Sequence, residues 1–199
     1  MEIRLLDYMV DTIFTATQVC QNTENDLLEV TEKALEHGHT SLLEHMVFSF
    51  SILGISRACS HQLVRHRMAS YAQESQRFVT IEGDDWYVLP KDIVDYNKFH
   101  KLMEVTMASY KQMIAEGTPV EEARYILPNC CKTNIVMTIN GRSLDNFLNL
   151  RMCSHAQWEI RELANKMYQK VRVICRYFTQ TKYPKCNECK FPCKENVND

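Results

Sequence analysis

One short stretch of the chain, residues 65–78 (RHRMASYAQESQRF), concentrates cationic side chains beside hydroxyl groups. The triplet at 65–67 is Arg-His-Arg, and Ser75 and Arg77 follow within the same stretch. A guanidinium group binds phosphate through two parallel hydrogen bonds, and a turn that adds a hydroxyl and backbone N–H groups completes such a site. The residue types leave two interpretations open: a binding site for an anionic ligand, or a solvated surface whose charges have no special role.

A second dense region, residues 140–160 (NGRSLDNFLNLRMCSHAQWEI), repeats amide and guanidinium side chains at near-helical spacing. Its polar candidates are Asn140, Arg142, Asn146, Asn149, Arg151 and His155. Asparagine is a poor helix former, so its repeated use here indicates a specific role. A single histidine in such a setting is more often structural than catalytic. Arg124 is a third candidate anion contact, although a surface salt bridge with Glu121 explains it equally well.

The charge of the whole chain restricts the kind of ligand it binds. Its 199 residues include 23 basic and 25 acidic side chains, a net charge of −2, which gives no general field for nucleic acid or an anionic membrane. Any anion binding must therefore be local. The sequence has no GxGxxG, GxxxxGK[ST], HExxH or GxSxG motif, which argues against a dinucleotide-binding Rossmann unit, a P-loop, a zinc peptidase and a serine hydrolase.

Targeting signals and cysteine use favour a cytoplasmic protein. The N-terminal residues MEIRLLDYMVD lack the apolar core of a signal peptide, and the longest nearly uncharged run, residues 46–56, is too short to cross a bilayer. Nine cysteines, an odd number, indicate reduced thiols rather than a closed disulfide framework.

The C-terminal residues form a cysteine-rich tail. Cys186, Cys189 and Cys193 offer a CxxC pair with a third thiol, whereas a structural zinc site needs four ligands. We favour a reduced tail and expect no metal, while a metal or disulfide clip remains the alternative. The chain is accordingly divided into one domain at residues 1–180 and a tail at 181–199.

Hydrophobic periodicity predicts the elements that must position these groups. Strands are predicted in EIRLL, MVFSFSIL and NIVMTIN, and RFVTIE and DWYVLP are predicted to pair across an EGDD turn. Helices are predicted at about 25–37, at 56–67, in a segment that ends at Gly117, in TPVEEARYILP, and in segments capped by Ser143 and Ser154, the last reaching Phe178. Few strands, long helices and no βαβ alternation predict an α+β fold with a small, mostly antiparallel sheet packed against long helices.

Two predicted helical details concern the candidate residues. A helix over 56–67 would place Gln62, Arg65 and His66 on one face and the basic triplet in its last turn, where the helix dipole favours cations. Ser41, with Glu44 three residues later, resembles a capping box for a single turn.

These segments resemble one known family. RHRMASYAQESQR is similar to the RHRxxSxxxxSxR signature of the flavin-dependent thymidylate synthases, and NGRSLDNFLNLRMCSHAQWEI resembles that family's second block. GTPVEEARYILP and HGHTSLLEH also match in order and spacing, so the resemblance runs from about Thr15 to Phe178.

The resemblance implies an activity, cofactors and an assembly. Such enzymes are methyltransferases that convert dUMP to dTMP, with 5,10-methylenetetrahydrofolate as carbon donor and a bound FAD that NADPH reduces. They have the α+β fold peculiar to the family and are homotetramers with active sites shared between subunits.

The resemblance also implies roles for individual residues. Those expected to contact dUMP are Gln62, Arg65, Gln73, Glu74, Ser75, Gln76, Arg77, Arg124 and Arg151, with the turn at 73–77 holding the phosphate and Arg124 reaching it from another subunit. Those expected to contact FAD are His39, Ser41, Arg65, His66, Arg67, Asn140, Arg142 and Asn146. Arg151 is the expected catalytic residue, which favours ionisation of uracil N3, and His155 is linked to folate and flavin stacking.

Two departures from the family pattern stand out. Ala72-Gln73 replaces the usual Asn-Glu, with Glu74 one position later, and Thr17-Gln18-Val19-Cys20 replaces Ala-Arg-Val-Ser. Their effect on FAD and dUMP affinity does not follow from the sequence.

The alternative function is a non-catalytic protein that binds nucleotides or single-stranded RNA through the arginine-rich stretch, with Tyr71 and Phe78 as stacking platforms. It requires a continuous basic groove, which the net charge of −2 does not favour.

Overall fold

A four-stranded sheet with helices packed on it forms the centre of the molecule. The computed structural model describes residues 1–24 and 26–186. The strands are β1 (Glu2–Met9), β2 (Val47–Ser56), β3 (Ala69–Gln73) and β4 (Lys132–Asn140), in the order β1-β2-β4-β3 with every neighbouring pair antiparallel. The predicted α+β class with a small antiparallel sheet is confirmed.

Eight α-helices and two short 3₁₀ helices accompany the sheet in the described residues. The α-helices are α1 (Thr12–Gln21), α2 (Leu27–Glu36), α3 (Arg57–Leu63), α4 (Tyr96–Ala115), α5 (Val120–Ala123), α6 (Gly141–Arg151), α7 (Trp158–Val171) and α8 (Arg176–Gln180). The 3₁₀ helices are Thr40–His45 and Arg124–Ile126. Within these residues no helix combines the length and the apolar character needed to cross a membrane.

The core lies between one face of the sheet and helices α6 and α7. Phe48, Phe50 and Ile52 alternate along β2 and are fully buried, as the period of two predicts for a half-buried strand. Leu144, Phe147 and Leu148 form the buried face of α6. Because each such side chain contributes about 1.5–3 kcal/mol on burial, this face fixes the rotation of α6 and thereby the direction of its polar side chains.

The helix that precedes the basic triplet is shorter than its sequence predicts. The prediction that α3 reaches Arg67 is wrong, because the helix ends at Leu63. The Tyr71 hydroxyl lies 2.9 Å from the carbonyl oxygens of both Leu63 and His66, so a side chain from β3 satisfies carbonyl groups that a continuing helix would use. The triplet at 65–67 therefore lies in the connection between α3 and β3.

The predicted hairpin at residues 77–90 is also wrong. In this region the described chain makes one isolated bridge, between Tyr87 and Cys131. The strand that pairs with β4 is β3, whose short and partly polar sequence, ASYAQ, carries little strand signal.

Several helix boundaries differ from prediction because other residues supply the caps. Asn140 Oδ1 accepts the Ser143 N–H at 2.8 Å, and Gln157 Oε1 accepts the N–H groups of Glu159 and Ile160, so Ser143 and Ser154 are not the caps. The 3₁₀ helix Thr40–His45 has no side-chain cap bond, which also corrects the predicted cap at Ser41. Helix α1 was not predicted, and the predicted helix 154–178 is divided into α7 and α8.

The end of the described chain packs on α6. Lys185 donates its backbone N–H to Asn149 and its ammonium group to Asp145. Cys189 and Cys193 lie outside the described residues, and the division at residue 180 stays a prediction.

Candidate functional site

A groove of about 830 Å³ gathers most of the predicted cofactor contacts. Its lining consists of Glu44, Arg65, His66, Arg67, Met68, Asn140, Arg142, Ser143, Asn146, Leu150 and Arg151. These residues come from three separate parts of the sequence, and four of them are arginines. The groove is therefore suited to a large anionic ligand.

Strand pairing explains why these distant segments meet. Ala69, the first residue of β3, pairs with Ile139 near the end of β4. The connection that precedes β3 consequently lies beside Asn140, where β4 passes directly into α6. The groove forms where these two chain segments come together.

The start of α6 fits tightly against the segment before β2. The Gly141 N–H donates to the Met46 carbonyl at 2.9 Å. A Cβ at Gly141 would lie 2.7 Å from the Leu43 carbonyl oxygen and 2.8 Å from the Met46 side chain, closer than carbon atoms approach. The absence of a side chain at this position therefore lets α6 begin where it presents Arg142 and Asn146 to the groove.

Arg151 and His66 form a direct pair in the groove. Arg151 Nε donates to His66 Nε2 at 3.0 Å, and the His66 ring packs edge-on against buried Phe147 at 4.9 Å between centroids. A nitrogen that accepts this bond carries no proton, so the imidazole is neutral and its proton is on Nδ1. Burial and the neighbouring Arg151 cation lower the pKa of His66 from 6.5 to about 4.

This lowered pKa predicts how stability depends on pH. Because the folded-state pKa of His66 is below its unfolded value, the unfolded chain takes up the proton first as the pH falls. The stabilisation is complete above about pH 6.5 and is lost as the pH falls towards about 4. We expect the free energy of unfolding in urea to fall more steeply between pH 7 and pH 4.5 in the wild type than in His66→Gln. Parallel pH profiles would contradict this assignment.

Arg142, which also lines the groove, pairs with an acid that the sequence reasoning did not place in the site. Arg142 Nη1 donates to Glu44 Oε1 at 2.5 Å. His39 and Ser41 belong to the same segment, at the start of the 3₁₀ helix that carries Glu44, but they do not line the groove. The matching HGHTSLLEH block was the signal by which Glu44 was open to prediction.

The predicted phosphate turn lies at the other end of β3. Glu74 follows the strand, and Asn134 donates to its carboxylate through both its backbone N–H and its amide, at 3.2 and 2.7 Å. Ser75 accepts the Arg77 N–H on its hydroxyl at 3.2 Å. Within the described residues, the backbone N–H groups of Ser75 and Gln76 have no partner, so they remain available to an anion.

Arg77 and Arg124 meet at a single residue beside this turn. Arg77 Nε donates to the Glu121 carboxylate at 2.5 Å, and Arg124 Nε donates to the Glu121 carbonyl at 3.0 Å. The Glu121 carboxylate thus pairs with Arg77, and Arg124 lies in the same chain as the turn. That Arg124 reaches the phosphate from another subunit stays a prediction.

Groove and turn are separate within the described chain. The five residues of β3 divide them, a length of roughly 15 Å at about 3.3 Å per residue. Gln62 lies on the last turn of α3 and does not line the groove. Gln73 donates its amide to Ser60 at 2.9 Å and to Thr133 at 3.2 Å, so this replacement of the family's glutamate is bound within the chain.

The remaining candidates lie outside both regions. His155 follows α6, with Nδ1 at 3.7 Å from Cys153 Sγ, and does not line the groove. Among the residues that the structure describes, no three metal-binding side chains converge. Tyr71, which the RNA-binding alternative needs as a stacking platform, is half-buried, and burial raises the pKa of its hydroxyl to about 12.

Comparisons with known proteins point to one family. The family model described as "Thymidylate synthase complementing protein" matches residues 4–175. The chain is 46% identical over 156 residues to the flavin-dependent thymidylate synthase of Pyrococcus furiosus, a match that covers 75% of this chain and 64% of that protein. It is 42% identical over 176 residues to the enzyme of the same name from Geobacter sulfurreducens, over 86% of this chain and 75% of the relative.

A solved structure is similar along most of its length. The crystal structure of thymidylate synthase X from Helicobacter pylori with FAD and dUMP superposes with a TM-score of 0.74 at 26% identity. The superposition covers 85% of this chain and 92% of that one.

Proposed function

Because this chain belongs to the flavin-dependent thymidylate synthase family, we propose that it is a flavoprotein methyltransferase that converts dUMP to dTMP. The carbon donor is 5,10-methylenetetrahydrofolate, and NADPH supplies the reducing equivalents. The single observation that carries the proposal is the groove, which brings the cations of 65–67 together with Asn140, Arg142 and Arg151.

The groove fits FAD in size and charge. Its volume of about 830 Å³ is within the roughly 300–1,000 Å³ of pockets that hold cofactors. Arg65, Arg67 and Arg142 would hold the anionic diphosphate, and Asn140 and Asn146 would supply amide contacts to the remaining polar atoms. When bound, FAD would supply the redox chemistry, transferring reducing equivalents from NADPH and carrying the one-carbon unit.

Arg151 is the residue that we assign to catalysis. Its guanidinium is half-buried at the groove and held by neutral His66. A cation fixed before the substrate arrives stabilises negative charge that develops on a uracil ring without reorganising in the reaction. Arg151 would favour the N3-ionised pyrimidine, which makes C5 more nucleophilic.

Ser75 is proposed to bind the dUMP phosphate and not to act as a nucleophile. Its hydroxyl and the N–H groups of Ser75 and Gln76 lie in one turn beside Arg77.

We expect Ser75→Ala to raise the KM for dUMP about tenfold, because loss of one charge-assisted hydrogen bond weakens binding by about this factor, with most of kcat retained. Steady-state kinetics measure this, and Ser154→Ala is the control. Complete inactivation with dUMP still bound would instead indicate a nucleophile.

We further propose that active sites are shared between subunits of a homotetramer. The turn and the groove face opposite ends of β3, so the turn of one subunit and the groove of another would form one site. Gln62, Gln73 and Glu74 belong to the nucleotide side of that site, and His155 would contact folate and flavin. At dUMP concentrations well below its KM, where Ser75→Ala is slow, mixed Ser75→Ala and Arg151→Ala subunits should then exceed the summed activity of the two variants, because some sites receive an intact turn and an intact groove.

The cytoplasm is the proposed location. Cys59, Cys131 and Cys175 are buried free thiols in the described chain, as expected in a reducing compartment.

Flavin absorbance tests the proposal. The purified chain supplied with FAD should show bands near about 375 and 450 nm that bleach with NADPH, as expected for a bound flavin. A chain that takes up no FAD would refute the proposal.

A further inference from the structure

Glu121, beside the proposed phosphate site, accepts hydrogen bonds from two arginines. Its carboxylate accepts Arg77 Nε at 2.5 Å and its carbonyl oxygen accepts Arg124 Nε at 3.0 Å, so one residue holds both arginines. Arg77 and Glu121 are 44 positions apart in the sequence, so this contact exists only in the folded chain.

The atoms used in these two bonds determine what each arginine still offers. Both guanidinium groups are held through Nε, and in the described residues their terminal amino groups have no hydrogen-bonded partner. An arginine fixed at Nε presents its two terminal nitrogens as a fork, which matches two oxygens of a phosphate. Glu121 therefore limits the motion of both guanidinium groups and leaves their terminal nitrogens available to an anion.

We propose that Glu121 is a positioning residue for the dUMP phosphate: its carboxylate aligns Arg77 towards the turn at Ser75, beside Arg124, which the Glu121 backbone carbonyl holds. This inference rests on the proposed function and adds to it a residue that acts on the phosphate indirectly. The carboxylate does not touch the phosphate; it acts through Arg77.

Packing around Glu121 fixes its position, so that its carboxylate can hold the Arg77 side chain in place. It lies in α5, which is anchored by fully buried Ala123. The turn is also held by the Gln76 amide, which donates to Cys131 Sγ at 3.3 Å. The Arg77 side chain itself is 56% exposed, so without Glu121 its long stem would sample many rotamers. The ion pair lowers the entropy that phosphate binding must otherwise remove.

Glu122 provides a matched control. It is the next residue in α5 and is exposed, and in the described residues its side chain makes no hydrogen bond or ion pair. Glu122→Ala changes the net charge and the helix propensity as Glu121→Ala does, but it leaves Arg77 held.

The test compares Glu121→Ala, Glu121→Gln and Glu122→Ala by calorimetric binding of dUMP and of deoxyuridine, together with steady-state kinetics. We expect Glu121→Ala to weaken dUMP binding about five- to tenfold and to raise its KM equally, with little change in kcat or in deoxyuridine affinity. Glu121→Gln should recover much of this loss, because its amide oxygen also accepts the Arg77 N–H. Glu122→Ala should bind dUMP as the wild type does.

Four results would overturn the inference. If Glu121→Ala binds dUMP as tightly as the wild type, the Glu121 carboxylate has no effect on phosphate binding. If the variant binds dUMP more tightly, the carboxylate competes with the phosphate for Arg77. If deoxyuridine affinity falls in parallel, the effect is not on the phosphate. If the wild-type chain binds no dUMP, the proposed function fails and this inference fails with it, whereas in the first three cases the proposed function stands.

Discussion

Replacing Arg151 with alanine is expected to reduce kcat for dTMP formation by a hundredfold or more, the order of magnitude found when one preorganised electrostatic contact is removed. The chain should stay folded and keep FAD. Arg151 is the last residue of α6, whose buried face is formed by Leu144, Phe147 and Leu148, so the helix does not depend on the guanidinium for its position. The other cations of the groove remain to hold the cofactor.

The same substitution should change the titration of His66. Arg151 is one of the two causes that lower the pKa of this imidazole, the other being burial, which is the larger. Without the guanidinium, the pKa of His66 should rise towards its ordinary value, and NMR of the imidazole resonances measures this. Arg151→Ala therefore has a signature in the groove that does not depend on activity.

Arg172→Ala is the matched control for Arg151→Ala. Arg172 is exposed, follows α7, and stacks over the Tyr168 ring at 5.5 Å, outside the groove. It should retain full turnover. Near wild-type turnover in Arg151→Ala would remove Arg151 from the catalytic role.

Gly141→Ala is expected to lose both stability and FAD. The new Cβ would lie 2.7 Å from the Leu43 carbonyl oxygen, a backbone atom that cannot move away without displacing its segment. Overpacking of this kind costs about 1–3 kcal/mol. Because the residues that follow are Arg142 and Asn146, any shift that relieves the contact also moves two groove side chains. Urea unfolding and FAD titration measure the two effects.

Gly117→Ala separates these two effects. Gly117 has φ 94° with no atom near the position of an added Cβ, so alanine there costs only left-handed backbone strain of about 1–2 kcal/mol. It should lose similar stability while keeping FAD affinity. Unchanged FAD affinity in Gly141→Ala would show that the start of α6 does not set the groove.

The elements with strong local patterns were predictable from sequence. Strand β2 alternates apolar and polar side chains, and α4 ends before Gly117, whose positive φ only glycine adopts readily. The α+β class followed from these elements. The blocks around 65–78 and 140–160 were also recognisable as candidate anion sites from residue types and family resemblance.

Features that depend on distant contacts were not predictable. The pattern at 56–67 is helical, yet the helix ends at Leu63, whose carbonyl oxygen accepts a hydrogen bond from the Tyr71 hydroxyl. Arg151 and His66 are 85 positions apart, and Arg77 and Glu121 are 44 apart. The pairing of β3 with β4 brings residues 65–67 beside the start of α6, and the short strand β3 was itself missed.

The structure gives one departure from the family pattern, Ala72-Gln73 followed by Glu74, a local explanation. Gln73 is bound to Ser60 and Thr133 inside the chain, and Glu74 is held by Asn134. Both side chains therefore support the end of β3 from which the turn begins. Ser75 and Arg77 remain as the groups that face an anion.

Formation of dTMP by the purified chain is the most direct test of the central claim. Given FAD, NADPH, 5,10-methylenetetrahydrofolate and dUMP, the chain should form dTMP, and omission of FAD from the flavin-free protein should abolish the product. Arg151→Ala, assayed in parallel, should bind FAD and form no more than about one hundredth of the product. A flavin-loaded wild-type chain that binds dUMP and forms no dTMP would contradict the account.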